Sequence, residues 1–198
     1  MIKFNNLSKD APYLFFRELY NKTLHTEQKN IEAICIASYS NDKKEVSARF
    51  VNLKFINKKE FIFFSNYNSP KSHDFKSHNQ ITGLIYWNNT NIQVRIKANI
   101  KQTSREFNKN YFAKRDSKKN ALAISSKQSF DIETYEDVKK NFDESLLNDD
   151  LTSCPDYWGG YSFTPYYFEF WEGHESRLNK RQVYELQNNK WIHKFLQP

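Results

Sequence analysis

The segment Trp158–Arg181, WGGYSFTPYYFEFWEGHESRLNKR, constrains the fold more than any other part of the sequence. The 198-residue chain has four glycines, and two of them are adjacent here, Gly159 and Gly160. In so Gly-poor a chain the pair predicts a Trp-Gly-Gly turn, with a sharp bend or a positive φ. Behind it Phe168, Phe170 and Trp171 make a stiff apolar, strand-like platform, and Arg177 and Arg181 follow four residues apart. Guanidinium groups are well shaped to hold a phosphate or carboxylate through paired hydrogen bonds. On residue types alone, the stretch also reads as a core strand followed by a solvated basic turn.

The rest of the chain has the pattern of an antiparallel meander with added helices rather than alternating β and α units. Asp10-Ala-Pro12 is a helix start, with Asp10 as N-cap and Pro12 in the first turn; Phe16, Leu19, Tyr20 and Leu24 then share one helical face. Ala33–Tyr39 and Val46–Ile56 read as strands around the turn Asn41–Lys44, and Phe61–Asn66 returns after Asn57-Lys58-Lys59. Gln80–Trp87 and Ile92–Thr103 form a further pair. Thr103-Ser-Arg-Glu106 and Thr134-Tyr-Glu-Asp137 have the spacing of capping boxes that open helices. A closing hairpin spans Arg181–Leu186 and Trp191–Phe195. With no repeat, low-complexity segment or linker, one domain over 1–198 is expected.

Composition narrows the partners. The net charge of +7 is compatible with nucleic acid, an acidic surface or phosphorylated small molecules. The 23 lysines and 7 arginines are scattered, without a like-charge block or a nucleic-acid-binding motif, so nucleic acid is not expected as a partner. Cys35 and Cys154 lie far apart with no metal-ligand spacing; a single disulfide is compatible with them, but two free thiols in a reducing cytosol is the simpler reading. His73 and His78 lack the companions of a zinc site, so no metal is expected. The absence of an eighteen-residue apolar run and of an apolar N-terminal signal predicts a soluble, cytoplasmic protein without a membrane partner.

The order WGG, then E-F-W-x-G, then R-L-x-x-R resembles the C-terminal signature of the pyridoxamine 5′-phosphate oxidase family, over 158–198. Further matches extend the resemblance over most of the chain. They are Arg49-x-x-x-x-Lys54, Phe64-Ser65, Ser69-Pro70-Lys71, Gln93, Tyr111-x-x-x-Arg115 and Ser126-Lys127-Gln128-Ser129. The resemblance implies an α+β fold, mainly antiparallel β with helices: an FMN-binding split β-barrel. It also implies a homodimer with the flavin at the interface. The implied reaction oxidises pyridoxamine or pyridoxine 5′-phosphate to pyridoxal 5′-phosphate with dioxygen, a step of pyridoxine biosynthesis. The alternatives are an FMN-binding oxidoreductase of this fold with another substrate, and a non-catalytic protein that binds FMN or pyridoxal phosphate.

The flavin set implied by the resemblance is Arg49, Phe50, Val51, Asn52, Leu53, Lys54, Phe64, Ser65, Lys71, Gln93, Gln128, Ser129, Trp171 and Arg181. The implied substrate set is Lys54, Tyr111, Arg115, Lys119, Arg177 and Asn179, with Arg177 and Asn179 at the reacting end. Tyr111 and Arg115, at i and i+4, would share a helical face. Arg49 and Lys54, five apart, fall on opposite faces of a regular strand, so either they serve different parts of the pocket or a bulge realigns them. Without the resemblance they also read as exposed charges on a half-buried strand. Pro70 replaces a family arginine, Lys119 a serine, Asn30 stands near a family aspartate, and Asn179 replaces a histidine. Asparagine keeps a hydrogen bond but is not a general acid or base, so a slow enzyme is expected. The chain also begins close to its first helix, which implies no longer N-terminal segment over the site.

Overall fold

In Ala33–Ser40 (β2), every second residue from Ile34 onward is buried, the two-residue period of a strand with one face on the core. The computed structural model describes residues 1–198 and assembles ten strands into one sheet. Lys3–Asn5 (β1) precedes β2; Glu45–Asn52 (β3), Phe55–Asn57 (β4), Glu60–Asn66 (β5), Gln80–Trp87 (β6) and Ile92–Gln102 (β7) follow it. Trp158–Glu172 (β8), Lys180–Gln187 (β9) and Lys190–Leu196 (β10) close the chain. The path is β1-β4-β5-β8-β7-β6-β2-β3, and all its pairings are antiparallel except β1 with β4. The long strand β8 is the branch point. Its first half pairs with β5, its second half with β9, and β7 follows it along the other edge. Between Lys97 and Ala98 the β7–β8 register shifts by a residue, opposite Pro165, whose missing N–H favours such an irregularity.

The core is aromatic. Ala11–Leu24 (α1) lays Tyr13, Phe16, Leu19 and Tyr20 against Phe61, Trp87 and Phe168, with edge-on contacts such as Phe16–Phe61 at 5.2 Å. Each ring buried in this way stabilises the fold by about 1.5–3 kcal/mol. Asp10 stands at the N-cap position without a capping hydrogen bond from its side chain. Its carboxylate pairs instead with Lys59 at 2.8 Å and accepts from the Trp191 indole at 3.2 Å, tying α1 to the closing hairpin.

The double glycine corrects the expected turn. Gly159 and Gly160 lie inside β8, and neither has a positive φ. What they provide is room. A Cβ on Gly159 would collide with the Tyr67 hydroxyl and the Asn108 amide, and one on Gly160 would lie 2.6 Å from Thr103 Oγ1. The first predicted capping box is also displaced. Thr103 Oγ1 donates to Asn108 Oδ1 and its N–H to Gly160, so Ser104 caps Arg105–Phe112 (α3) by accepting from the Phe107 N–H. The second box forms as expected, with Thr134 and Asp137 capping Tyr135–Asn148 (α5) reciprocally. Pro70–Ser77 (α2) and Ser117–Ser125 (α4) complete the helices. Both cysteines are free, and no helix is long and apolar enough to cross a membrane.

Candidate functional site

A cavity of about 680 Å³ opens where β3, β5 and the starts of α2 and α4 meet. Its walls carry seven cationic residues, Lys3, Arg49, Lys54, Lys71, Lys114, Arg115 and Lys119, against one acid, Asp116. The strand expected over 46–56 is broken at Leu53-Lys54, where Leu53 N–H donates to Glu32 and Lys54 N–H to Ile62. That break answers the spacing question: Arg49 and Lys54 line the same cavity. Leu53 does not line the cavity: its side chain is fully buried in the core and its N–H is already used.

On the inner wall, Lys71 lies in the first turn of α2, directly after Pro70, and is only 6% exposed. Its Nζ donates to Ser69 Oγ at 3.1 Å and has no carboxylate partner. Burial, with the nearby Arg49 charge adding to it, pushes the Lys71 ammonium down to about 8. Arg49 donates to Ser38 Oγ at 2.7 Å and to the Ile36 carbonyl, and only approaches Asp74 at 3.7 Å. Burial lowers its pKa while Asp74 opposes the shift. Across from them, Gln128 Oε1 accepts from Ser65 Oγ at 3.0 Å and the Asn66 N–H at 3.2 Å, which turns its amide nitrogen outward from that pair. Ser129 follows at φ 67° and lines the cavity wall.

The outer wall is a ring stack. Phe64 stacks nearly parallel with both Tyr111 (4.0 Å) and Trp158 (5.0 Å), which are themselves 6.3 Å apart, and the Arg115 guanidinium is 5.1 Å over Trp158. Arg115 donates to the Lys119 carbonyl at 2.7 Å and to Asn120 Oδ1 at 3.0 Å. The two residues expected on one helix face come from different elements: α3 ends at Phe112, and Arg115 occupies the turn before α4. Stacking and the Asn120 bond bring them together instead. Burial lowers the pKa of both Arg115 and Lys54, and for Lys54 the charges of Lys119 and Arg115 add to it against Glu32. Lys3 and Lys114 escaped the sequence reading. Lys114 adjoins Arg115, but Lys3 reaches the cavity only through the parallel β1–β4 pairing, which no local pattern announces.

Besides Leu53, the expected residues that do not line this cavity are Gln93, Trp171, Arg177, Asn179 and Arg181. Gln93, Trp171 and Arg181 are in register on β7, β8 and β9, so they form one row across the sheet. Arg181 donates through Nε and Nη2 to Glu169 Oε1 at 3.0 and 2.8 Å. Arg95 and Tyr167 hold the other carboxylate oxygen. Burial works against the Glu169 charge, yet these donors keep its pKa below the usual carboxylate value. Arg177 and Asn179 lie in the loop between β8 and β9, where Asn179 Oδ1 accepts from the His174 N–H at 3.0 Å.

Residues 158–198 match the family profile described as "Pyridoxine 5'-phosphate oxidase C-terminal dimerisation region". A pyridoxine/pyridoxamine 5′-phosphate oxidase of Leptospira interrogans is 32% identical over 186 residues, covering 93% of this chain and 86% of the relative. One from Burkholderia multivorans is 35% identical, covering 87% and 81%. Among solved structures, PhzG from Burkholderia lata 383, in complex with tetrahydrophenazine-1-carboxylic acid, superposes with a TM-score of 0.89 at 24% identity, covering 94% of this chain and 92% of that one. A pyridoxamine 5′-phosphate oxidase-related, FMN-binding protein of Nostoc punctiforme gives 0.79 at 12%, covering 92% and 97%. At these identities the two structures establish the shared split-barrel fold.

Proposed function

The chain belongs to the pyridoxine/pyridoxamine 5′-phosphate oxidase family of FMN-binding oxidoreductases, and from that premise we propose that it oxidises pyridoxamine or pyridoxine 5′-phosphate to pyridoxal 5′-phosphate with dioxygen. The observation that carries this reading is the cavity's surplus of cations, seven against one acid, and above all the buried Lys71 ammonium, which has no carboxylate partner. A buried, unpaired ammonium is costly unless a ligand anion completes it. The donor set fits the phosphate of FMN: Lys71, Arg49, the Ser65 and Ser129 hydroxyls and the free amide nitrogen of Gln128, beside the start of α2. Phe50, Val51 and Asn52 of β3 line the same wall. Bound there, the flavin would take a hydride from the substrate carbon bearing the amine or alcohol and pass the two electrons to dioxygen as hydrogen peroxide; the alcohol would then give the aldehyde by proton loss, and the amine by hydrolysis of its imine with release of ammonia.

In this reading Tyr111, Arg115 and Lys119 hold the substrate phosphate, and Lys54, between the two groups of cations, reaches both ligands. Phe64 and its stacked neighbours form the wall that keeps water from that side. The remaining residues come from a second copy of the chain: Gln93, Trp171 and Arg181 complete the flavin site, and Arg177 meets the substrate from the loop that Asn179 helps to close. Two features support a homodimer, the matched dimerisation region and the large apolar side chains exposed near that row, Phe50, Leu84 and Tyr86. Catalysis rests on orientation and charge. Without an imidazole at 179, turnover is about 10²- to 10⁴-fold below that of an enzyme with a full acid–base set.

A second reading, a flavin oxidase acting on a different anionic substrate, is favoured by the commitment of Asn179 Oδ1 to its own loop. The test is the visible spectrum of FMN-loaded protein without oxygen as each vitamer phosphate is added. Bleaching that recovers in air supports the proposal; flavin that stays oxidised with both vitamers overturns it and leaves the second reading.

A further inference from the structure

The loop from Gly173 to Asn179 is organised around one residue that the motif comparison does not single out. Three hydrogen bonds converge on His174. Its N–H donates to Asn179 Oδ1 at 3.0 Å, its carbonyl accepts from the Arg177 N–H at 2.9 Å, and its Nδ1 accepts from the Ser176 N–H at 3.2 Å. The stem is fixed separately. Gly173 N–H donates to the Asn91 carbonyl at 2.9 Å, and Lys180 pairs with Glu172 at 3.5 Å across the first β8–β9 register pair.

Between these anchors Arg177 is held at φ 60°, a left-handed conformation that a non-glycine residue adopts only when its surroundings impose it. Its guanidinium forms no hydrogen bond or ion pair within the chain. Of the other six arginines, five are engaged, Arg49, Arg95, Arg105, Arg115 and Arg181, and Arg17 is not. The loop therefore spends its internal hydrogen bonds on the backbone around Arg177 and leaves the side chain free.

We propose that His174 is the positioning residue of this loop, presenting Arg177 to an anionic substrate, and that Asn179 is its latch rather than a substrate contact. This rests on the reading above in one respect, that Arg177 meets the substrate. The same chemistry explains how asparagine is suited to position 179: its side-chain oxygen is an acceptor that never needs to lose or gain a proton.

The experiment compares His174→Ala, His174→Asn and Asn179→Ala in FMN-loaded protein by two readouts. The first is hydrogen exchange of the 173–180 peptide. The second is the dependence of anaerobic flavin reduction on pyridoxamine 5′-phosphate concentration. His174→Ala is expected to speed exchange and to raise the half-saturating concentration about three- to tenfold, the worth of one hydrogen bond, with the limiting reduction rate and FMN affinity kept. His174→Asn should restore both, because its oxygen can accept the Ser176 N–H. Asn179→Ala should resemble His174→Ala. A His174→Ala protein that matches wild type in exchange overturns the proposal, as does a His174→Asn protein no better than His174→Ala. If wild type itself is not reduced by the vitamer, the functional reading falls, and the exchange comparison still decides the role of His174.

Discussion

The inner wall of the cavity and the Glu169 cluster on the sheet treat buried charge in opposite ways. Around Glu169, three donors from β7, β8 and β9 surround one carboxylate that is 3% exposed, and both of its oxygens are used. Around Lys71, an ammonium almost as deeply buried has a serine hydroxyl and a neighbouring arginine, which repels it. The first arrangement is complete within the chain and stabilises it. The second has no carboxylate within the chain to offset the charge, and burial together with Arg49 lowers its pKa. The same residue type thus has two meanings, distinguished by its partners rather than by its position in a motif.

The largest expected effect tests the completed cluster. Arg181→Met leaves Glu169 buried with Arg95 and Tyr167 alone. Losing one partner of a buried ion pair costs about 3 kcal/mol. The urea midpoint of flavin-free protein should fall accordingly. A loss below about 1 kcal/mol would mean that the bonds to Glu169 do not hold the fold, leaving Arg181 with its flavin role alone and removing the contrast with Lys71.

Lys71→Met should behave in the opposite sense. Replacing an unpaired buried ammonium by an apolar side chain of similar length leaves the flavin-free protein as stable as before or more so. The same change removes a charge-assisted hydrogen bond to the phosphate, so FMN binding should weaken about 10- to 100-fold. Riboflavin, which has no phosphate, provides the control in a fluorescence titration. Equal weakening of both ligands would mean that Lys71 acts on the isoalloxazine ring or on packing, and the contrast between the two regions would lose its physical basis.

Much of this contrast was legible in the sequence, and the failures have a common cause. The strand pattern, the hairpin turns and the capped α5 follow local rules, and Thr134–Asp137 caps as its spacing demands. The double glycine was visible but its reason was not, because Tyr67, Asn108 and Thr103 come to it from other elements. The same holds for Thr103, drawn out of its expected capping role by Asn108 and Gly160. At the site, the break at Leu53-Lys54 depends on Glu32 and Ile62, and the Lys3 side chain reaches the cavity through a parallel pairing 52 positions away in register, Lys3 with Phe55. Residue types announced that anions are bound. Only non-local pairing determines which cations are left free to bind them.

The smallest effect is a pH dependence whose direction is set by Lys71. In the folded, flavin-free protein its pKa is lowered to about 8 from the ordinary lysine value of 10.5, chiefly by burial and further by Arg49. Between those two pH values the unfolded chain binds more protons at this site than the folded one, so the contribution of Lys71 to stability rises with pH. Below about pH 8 both states are protonated and the full penalty of burying the charge is present; above 10.5 it is gone. Other groups titrate in the same window, so the quantity to measure is the difference between wild type and Lys71→Met in urea midpoints at successive pH values. Wild type should gain on the variant by about 1 kcal/mol from pH 8 to 9, near the limit of 1.36 kcal/mol per pH unit for one proton. FMN opposes that trend, because its phosphate favours the charged ammonium: affinity for FMN, and not for riboflavin, should fall as pH rises through the same range. A flat difference between the two proteins would mean that Lys71 reaches water in solution, and that the inner wall is not the dry, anion-requiring surface from which the contrast with Glu169 is drawn.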